Sequence, residues 1–287
     1  KMKNIKYFFQ FLIILICFVI FKFLGVNLSS KISGNIFEII GPFFRSKDLI
    51  NSNIKKAFPD IDKKNLKKIT ASMWNNYGRV FAEYMFIKDF RFGKLNSNIA
   101  IEGEEILEDI KNKNNQVVFI SGHFGNFELM AMCIEKSGIK LSAIYRPLNN
   151  IFLNQIMERI RKKYICEQQV KKGIGGIKKL IGLKKNNYST ALMIDQRVSE
   201  GILSNFFNEK ALTTTIPAQL VKKFNIKIVP VYIERIRDIN FKIRISEPLS
   251  FSKDASIENI TNELNIVIEK MVLNKPEQWI WSHNRWK

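Results

Sequence analysis

The chain contains two histidines, and one of them, His123, lies in a segment suited to acid/base chemistry. His123 follows an apolar run, is flanked by Gly122 and Gly125, and precedes Glu128 by five residues. A carboxylate that meets an imidazole fixes its tautomer and stabilises the imidazolium, as a general base acting on an alcohol requires. Spacing alone leaves a second interpretation open, in which His123 is a core histidine and Glu128 complements the dipole of a helix.

Other charged residues also follow apolar, strand-like segments. Arg146 comes directly after KLSAIY, and an arginine at the end of a strand can pair with phosphate or stabilise an oxyanion. Asp195 follows ALMI, where a carboxylate can support a site, and Arg197 stands two residues further on. The structural alternatives are a surface arginine held beside Pro147 and a loop or helix cap at Asp195.

Short β-branched runs alternate with helix-length segments along most of the chain. The runs are IAIEG (99–103), QVVFIS (116–121), KLSAIY (140–145), STALMI (189–194), IKIVPVYI (226–233) and FKIRIS (241–246). This alternation predicts an α/β fold with a mixed, largely parallel central sheet flanked by helices. Ligands bind such sheets at the carboxyl ends of the strands, which is where His123 is expected.

The segment 7–26 is almost continuously apolar and is interrupted by Gln10 and Lys22. A helix of about 20 apolar residues is long enough to cross a bilayer, so a membrane anchor is predicted over residues 1–26. A cleaved signal peptide, a buried core helix and a helix lying in the interface are the alternatives. The distribution of basic residues around the segment favours a cytoplasmic position for the rest of the chain.

A long amphipathic helix is predicted from about residue 62 to 87, where apolar residues recur at helical spacing. No internal repeat or linker divides residues 50–287. The predicted organisation is therefore an anchor helix (1–26), a helical subdomain (27–95) and an α/β domain (96–287).

The formal net charge is +20, from 46 Lys and Arg against 26 Asp and Glu, and it indicates a polyanionic partner such as nucleic acid, an anionic membrane or an acidic protein. The basic segment 158–185 includes ten Lys and Arg residues and two Glu. The sequence has no zinc-finger spacing, RNP-like aromatic strand or basic recognition helix, so no nucleic-acid partner is predicted. Its three cysteines form no CxxC pair, and there is no Gly-rich phosphate loop. No metal and no other cofactor is therefore predicted.

Two residues with reactive side chains are assigned structural roles. Cys133 stands on the amphipathic stretch after Glu128 and is predicted to pack in the core. His283 lies in PEQWIWSHNRWK, an aromatic and basic cluster that is predicted to be structural or membrane-facing.

The segment SGHFGNFE (121–128) matches the H-x4-D/E box of the glycerolipid acyltransferase superfamily, and in its fuller form it resembles the bacterial lipid A late (lauroyl/myristoyl) acyltransferase family. Supporting segments stand in that family's order: NSNIKKAFP, WNNYGRVFAEY, IEGEEIL, YRPLNN, MIDQR, FFNEKALTTTIPAQL, IVPVYIER and WIWSHNRWK. Phe127 stands where the family commonly has Trp, and Asn208 and Ile216 stand where Gly is usual. Ile216 is expected to reshape the wall of the acyl site.

The resemblance implies transfer of a fatty acyl chain from acyl carrier protein to the 3-hydroxyl of an acyl chain on an anionic lipid A precursor, at the cytoplasmic face of the bacterial inner membrane. His123 is then the general base, and Glu128 orients it, with no acyl-enzyme. Arg146 matches the residue that contacts the acceptor's phosphate, and Asp195 and Arg197 are expected to support the site or hold acceptor hydroxyls. The alternative is another glycolipid or a lysophospholipid as acceptor, with acyl-CoA as donor.

Overall fold

The computed structural model describes residues 2–287, so Lys1, the first residue of the predicted anchor, lies outside them. The α-helices are α1 (Met2–Leu24), α2 (Val26–Ile40), α3 (Lys47–Ala57), α4 (Lys63–Glu83), α5 (Ile87–Phe92), α6 (Glu104–Asn112), α7 (Glu128–Lys136), α8 (Ile151–Tyr164), α9 (Ile174–Lys185), α10 (Ile216–Phe224) and α11 (Ile257–Asn274). The strands are β1 (Ile99–Glu102), β2 (Val117–Ser121), β3 (Leu141–Tyr145), β4 (Gln168–Lys171), β5 (Ser189–Met193), β6 (Ile202–Phe206), β7 (Glu209–Thr213), β8 (Lys227–Arg237) and β9 (Asn240–Ile245).

Seven strands form one sheet in the order β1-β9-β8-β2-β5-β3-β4, while β6 and β7 form a separate antiparallel hairpin. All neighbours in the large sheet are parallel except β8 and β9. The predicted fold is confirmed, and each of the six predicted strands is present. Strands β4, β6 and β7 were not predicted because their sequences, QQVK, ILSNF and EKALT, mix polar and apolar residues and contain no continuous apolar run.

Strand β2 occupies the middle of the large sheet, between β8 and β5. Its five residues, VVFIS, are all buried, as expected for a strand covered on both faces. The loop that follows β2 therefore leaves the sheet at its centre, at the carboxyl edge of parallel strands. This position is the usual place for a binding site in an open α/β sheet.

Helices α2 and α4 approach each other closely because small residues line their contact. The buried residues of α2 are Ser29, Ser30, Ser33 and Gly34. A Cβ atom on Gly78 of α4 would lie 2.2 Å from the carbonyl oxygen of Ser33, so only glycine fits there. The predicted long helix ends its regular α-helical part at Glu83, tightens into a 3₁₀ turn at residues 84–86 and continues as α5.

A buried ion pair joins the helices to the sheet. Glu83 at the end of α4 is fully buried, and its Oε2 accepts hydrogen bonds from Arg235 Nη2 of β8 and from Asn126 Nδ2, both at 3.0 Å. Its Oε1 accepts one from Ser30 Oγ at 2.7 Å. Each carboxylate oxygen is therefore hydrogen-bonded, as a buried polar group requires. Because the donors come from different elements, Glu83 connects α2, α4, β8 and the loop after β2.

We predict that Glu83→Ala destabilises the protein by about 3–5 kcal/mol, because it leaves the Arg235 guanidinium buried without a counter-charge. Urea unfolding of the detergent-solubilised protein measures the loss. Asp109→Ala is the control, since its ion pair with Lys113 is exposed and its removal should cost less than about 1 kcal/mol. Equal, small losses for both variants would contradict a structural role for the buried pair.

Candidate active site

His123 and Asp195 meet because β2 and β5 are parallel neighbours in register. Ser121 pairs with Met193, and each of the two site residues follows its strand by two positions. The distance from His123 Nδ1 to Asp195 Oδ1 is 2.8 Å, and the backbone N–H of His123 donates to Asp195 Oδ2 at 2.8 Å. Asp195 therefore holds both the ring and the backbone of His123.

The Asp195 carboxylate is almost completely buried, with 1% of its surface exposed. Trp279 Nε1 donates a further hydrogen bond to Oδ2 at 2.9 Å. Burial on its own raises the pKa of Asp195, but the attraction of His123 and the hydrogen bonds from His123 and Trp279 outweigh it and lower the pKa below its ordinary value. Asp195 is therefore ionised at neutral pH.

The ionised carboxylate determines which nitrogen of His123 carries the proton. Since Asp195 accepts from Nδ1, the neutral imidazole has its proton there and an unprotonated Nε2. The ring stands edge-to-face with Phe127, with the centroids 4.8 Å apart, and it lines a cavity. An oriented, unprotonated nitrogen at a cavity wall is suited to accept a proton from a bound hydroxyl.

The loop that carries His123 is held on several sides. A Cβ atom on Gly122 would lie 2.7 Å from the ring of Phe124 and 3.1 Å from Asp195 Oδ2, so a larger residue would push the loop away from the carboxylate. The N–H of Gly125 donates to the carbonyl of Gln278 at 3.3 Å, and its own carbonyl accepts from Asn76 Nδ2 at 3.0 Å. Both α4 and the C-terminal segment thus fix the loop.

Glu128 does not make the contact with His123 that its spacing predicted. It is the first residue of α7, and its Oε1 accepts from Arg161 Nε of α8 at 3.0 Å, with a second bond from Arg161 Nη2. The guanidinium satisfies the carboxylate, while Asp195 occupies the Nδ1 side of the ring. Glu128 and His123 still line the same cavity, together with Arg161.

The two predicted arginines have different surroundings. Arg146 follows β3, is exposed and lines the cavity beside Lys172, whose N–H donates to the carbonyl of Tyr145. Within residues 2–287 the Arg146 guanidinium has no hydrogen-bond or ion-pair partner. Arg197 also lines the cavity, but its Nε donates to the carbonyl of Lys287 at 3.0 Å, so this part of its guanidinium holds the C-terminal segment.

Of the two roles expected for Asp195, supporting the site or holding acceptor hydroxyls, its contacts fit the first. Both of its oxygens are engaged, by His123 and by Trp279, and the carboxylate is buried behind the imidazole. A carboxylate with both oxygens occupied acts on the neighbouring ring rather than on a ligand. Trp279 was not singled out in the sequence, although it stands in the C-terminal segment that carries the family resemblance.

His283 belongs to the wall of the site. Its Nε2 accepts from the backbone N–H of Arg197 at 3.1 Å, and burial lowers its pKa to about 4, so the ring is neutral at physiological pH. Trp279 and Trp281 are buried in the core. Of the two predicted roles for this segment, the structure therefore supports the structural one, because its aromatic rings face the interior.

The cavity has a volume of about 370 Å³ and a largely apolar wall. The apolar residues that line it include Ala131, Ala143, Ile144, Ile165, Ala191, Leu192, Met193 and Ile216. Exposed cations, Arg146 and Lys172, line its rim. An apolar interior with a cationic rim and a histidine in the wall suits a ligand that has a hydrocarbon chain and an anionic group.

Two other features carry no comparable chemistry. An open groove of about 620 Å³ lies between residues 57–69 and residues 276–277, and no predicted site residue lines it. Cys133 is buried on α7, where burial raises its pKa to about 12 and keeps the thiol protonated. Within residues 2–287 no group of three or more His, Cys, Asp and Glu side chains could hold a metal ion.

Comparison with known proteins identifies the family. The profile of the bacterial lipid A biosynthesis acyltransferases matches residues 1–287. The chain is 26% identical to lipid A biosynthesis acyltransferase 2 of Shigella flexneri over 66% of this chain and 60% of that protein, which is less than two thirds of the relative's length. It is 22% identical to the lipid A biosynthesis myristoyltransferase of Escherichia coli K12, over 84% of this chain and 75% of the relative. It is 24% identical to the lipid A biosynthesis lauroyltransferase of the same organism, over 85% of this chain and 79% of that relative. The family inferred from the motifs is confirmed: the chain belongs to the bacterial lipid A biosynthesis acyltransferases, a family of transferases.

Proposed function

We propose that this protein transfers a fatty acyl chain from acyl carrier protein to a hydroxyl group of a lipid A precursor. Membership of the family supports acyl transfer to lipid A. The observation that carries the mechanism is the His123–Asp195 pair in the wall of an apolar cavity. The acyl chain lies against the apolar wall, and the reacting thioester lies beside the imidazole.

The reaction is a direct transfer of the acyl group from a thioester to a hydroxyl, which gives an oxygen ester. His123 Nε2 removes the proton from the acceptor hydroxyl while its oxygen attacks the thioester carbonyl. The tetrahedral intermediate expels the carrier's thiolate, which takes the proton from the imidazolium. Asp195 stabilises that imidazolium and keeps the ring in one tautomer. The products are the new ester and the free thiol, and no acyl-enzyme forms.

Glu128 acts on this reaction through Arg161. The pair is almost buried in the cavity wall, so the carboxylate keeps a guanidinium in place beside the bound acyl donor. Removing either partner would leave a charge without its counter-ion in a poorly hydrated place. Glu128 thus contributes to the shape and charge of the site, and Asp195 takes the orienting role.

The cations suggest how the two substrates are recognised. Arg146, which has no hydrogen-bond or ion-pair partner within residues 2–287, would pair with a phosphate of the anionic acceptor. The basic segment 158–185 complements the acidic carrier protein, which would raise the association rate. Because the acceptor is a lipid, we place the reaction at the cytoplasmic face of the inner membrane, where α1 provides the membrane attachment.

We predict that His123→Ala lowers the rate of acyl transfer by about 10²- to 10⁴-fold, the usual contribution of a general base. Mass spectrometry of lipid A, from cells that lack the protein and cells that express the wild type or this variant, measures the effect. The wild type should add one acyl chain, and the variant should add none at comparable expression.

Cys133→Ala is the matched control for that experiment, and it should keep wild-type activity because its thiol is buried and protonated. If the number of acyl chains on lipid A were the same in cells with and without the wild-type protein, lipid A would be excluded as the acceptor. Acylation of a lysophospholipid or another glycolipid in the same extracts, with acyl-CoA as donor, would then identify the alternative reaction.

Asp195→Asn should reduce kcat on the order of 10²- to 10⁴-fold with little change in KM, because the residue acts on His123 and does not touch the substrate. Trp279→Phe should reduce kcat about tenfold, since it deletes a hydrogen bond to a buried charge but keeps most of the ring. Steady-state kinetics measures both.

Trp281→Phe is the control for Trp279→Phe, because it removes a buried indole N–H that donates to the carbonyl of Pro276 and not to Asp195. It should leave kcat near the wild-type value. Equal losses in the two tryptophan variants would show that Trp279 supports the fold in general rather than the carboxylate.

Arg146→Ala should lower kcat/KM about 10- to 100-fold, and Arg146→Lys should be intermediate, because an ammonium lacks the planar fork of the guanidinium. Arg237→Ala at the end of β8, exposed and outside both the cavity lining and the basic segment, is the control and should behave as wild type. Wild-type kinetics for both Arg146 variants would exclude a phosphate or oxyanion role.

A further inference from the structure

The N-terminal part of helix α1 packs against the start of helix α8. The Asn150 side chain, 9% exposed, donates from Nδ2 to the carbonyl of Tyr7 at 2.8 Å. In the same part of α1, the rings of Phe8 and Phe11 contact the ring of Phe152 on α8, with centroids 5.6 and 6.0 Å away. This end of α1 is therefore held by a polar and an aromatic contact.

The far end of α1 is held as well. Phe18 and Phe21 are buried, and their rings lie 5.2 and 5.8 Å from the ring of Phe81 on α4. Lys22 Nζ lies 3.4 Å from Asp89 Oδ2 of α5. One face of the helix is thus in contact with the globular part of the protein from Tyr7 to Lys22.

These contacts conflict with a transmembrane orientation of α1. The contacted stretch extends about 22 Å at 1.5 Å per residue, most of the roughly 30 Å hydrocarbon core of a bilayer. If α1 crossed the membrane in this conformation, elements that carry Asn150 and Asp89 would have to enter the membrane with it. Polar loops of a globular α/β protein are not stable in hydrocarbon, because their backbone groups lose water without gaining partners.

The opposite face of α1 is exposed and apolar. It presents Ile5, Phe9, Ile13, Ile16, Ile20 and Phe23. Helix α2 also exposes an apolar stripe at helical spacing, and Phe43, three residues after its last residue, is 86% exposed. The stripe consists of Leu28, Ile32, Ile36 and Ile39. An apolar surface this continuous requires a cover in a protein that remains in solution or at an interface.

Basic residues flank the apolar surface. Lys3, Lys6, Lys31, Arg45 and Lys47 are exposed next to it. Among the exposed residues of α2, Glu38 is the one acidic side chain. Hydrophobic side chains bordered by lysine and arginine complement the interface of a membrane with anionic headgroups. The charge pattern therefore favours a lipid surface over a second protein as the partner.

We infer that α1 does not cross the bilayer but lies in one leaflet, with its Ile- and Phe-rich face in the acyl region and its other face on the protein. Its N-terminus and the α/β part of the chain are then on the same side of the membrane. This inference rests on the membrane localisation in the proposed function and specifies its geometry. It replaces a single span with a surface attachment.

This geometry also connects the membrane to the active site. Helix α8 begins at Ile151, beside α1, and carries Arg161 into the cavity wall ten residues later. At 1.5 Å per residue the two points are about 15 Å apart along α8. A lipid acceptor that rests in the same leaflet as α1 is therefore close to the cavity without leaving the membrane.

Labelling of single cysteines tests the orientation. With Cys17 replaced by Ala and the other two cysteines buried, Asn4→Cys reports on the N-terminus and Lys185→Cys on the α/β part. A membrane-impermeant maleimide should label both in sealed inverted vesicles and neither in intact spheroplasts. Labelling of Asn4→Cys in spheroplasts, with Lys185→Cys protected, would show a span and overturn the inference.

Cross-linking in native membranes is the second measurement. A short bismaleimide should link Phe8→Cys to Phe152→Cys, and it should link the control pair, Phe9→Cys with Phe152→Cys, far less, because Phe9 is on the exposed face. Equal linking of both pairs, or none, would overturn the packing of α1. Recovery of the protein in the soluble fraction would overturn the membrane attachment, whereas loss of the acyl transfer activity alone would affect only the proposed reaction.

Discussion

The site depends on the hydrogen bonds that one buried carboxylate accepts. Asp195 carries a negative charge in a place with almost no access to water, and an isolated charge there would be strongly unfavourable. Three donors compensate: the ring and the backbone N–H of His123, and the indole N–H of Trp279. They come from the loop after β2 and from the C-terminal segment, so the charge is stable only when distant parts of the chain have come together. The same contacts orient the imidazole, and stability and chemistry therefore rest on one group.

A second buried charge supports the loop from the other direction. Glu83 binds Arg235 of β8, Ser30 of α2 and Asn126 of the His123 loop. The two carboxylates thus hold opposite ends of a six-residue loop, one through its histidine and the other through its asparagine. Glycine at 122 permits the close approach to Asp195. A loop so constrained keeps His123 in one orientation, which in the proposed reaction lowers the entropic cost of reaching the transition state.

The arrangement of charge around the cavity is consistent with a substrate that is apolar at one end and anionic at the other. Alanine and branched aliphatic residues form the wall, while Arg146 and Lys172 stand exposed at the rim. The membrane geometry inferred for α1 agrees with this division, since α8 connects the lipid-facing helix to the cavity. In the proposed reaction, acceptor chains in the leaflet and a carrier in solution reach the same histidine from two sides.

The sequence by itself determined the α/β architecture, the six apolar strands and the family, because burial patterns and short motifs are local properties of the chain. It also placed Arg146 and Asp195 at strand ends. It could not show which carboxylate meets His123: Glu128 is five residues away along the chain, whereas Asp195 is 72 residues away and arrives through the parallel register of β2 and β5. The contacts of Trp279, Glu83 and Arg161 were hidden for the same reason. Whether an apolar helix is surrounded by lipid or lies against protein depends on its neighbours, so only the tertiary structure, with Asn150 and Asp89 at the two ends of α1, decided how that helix packs.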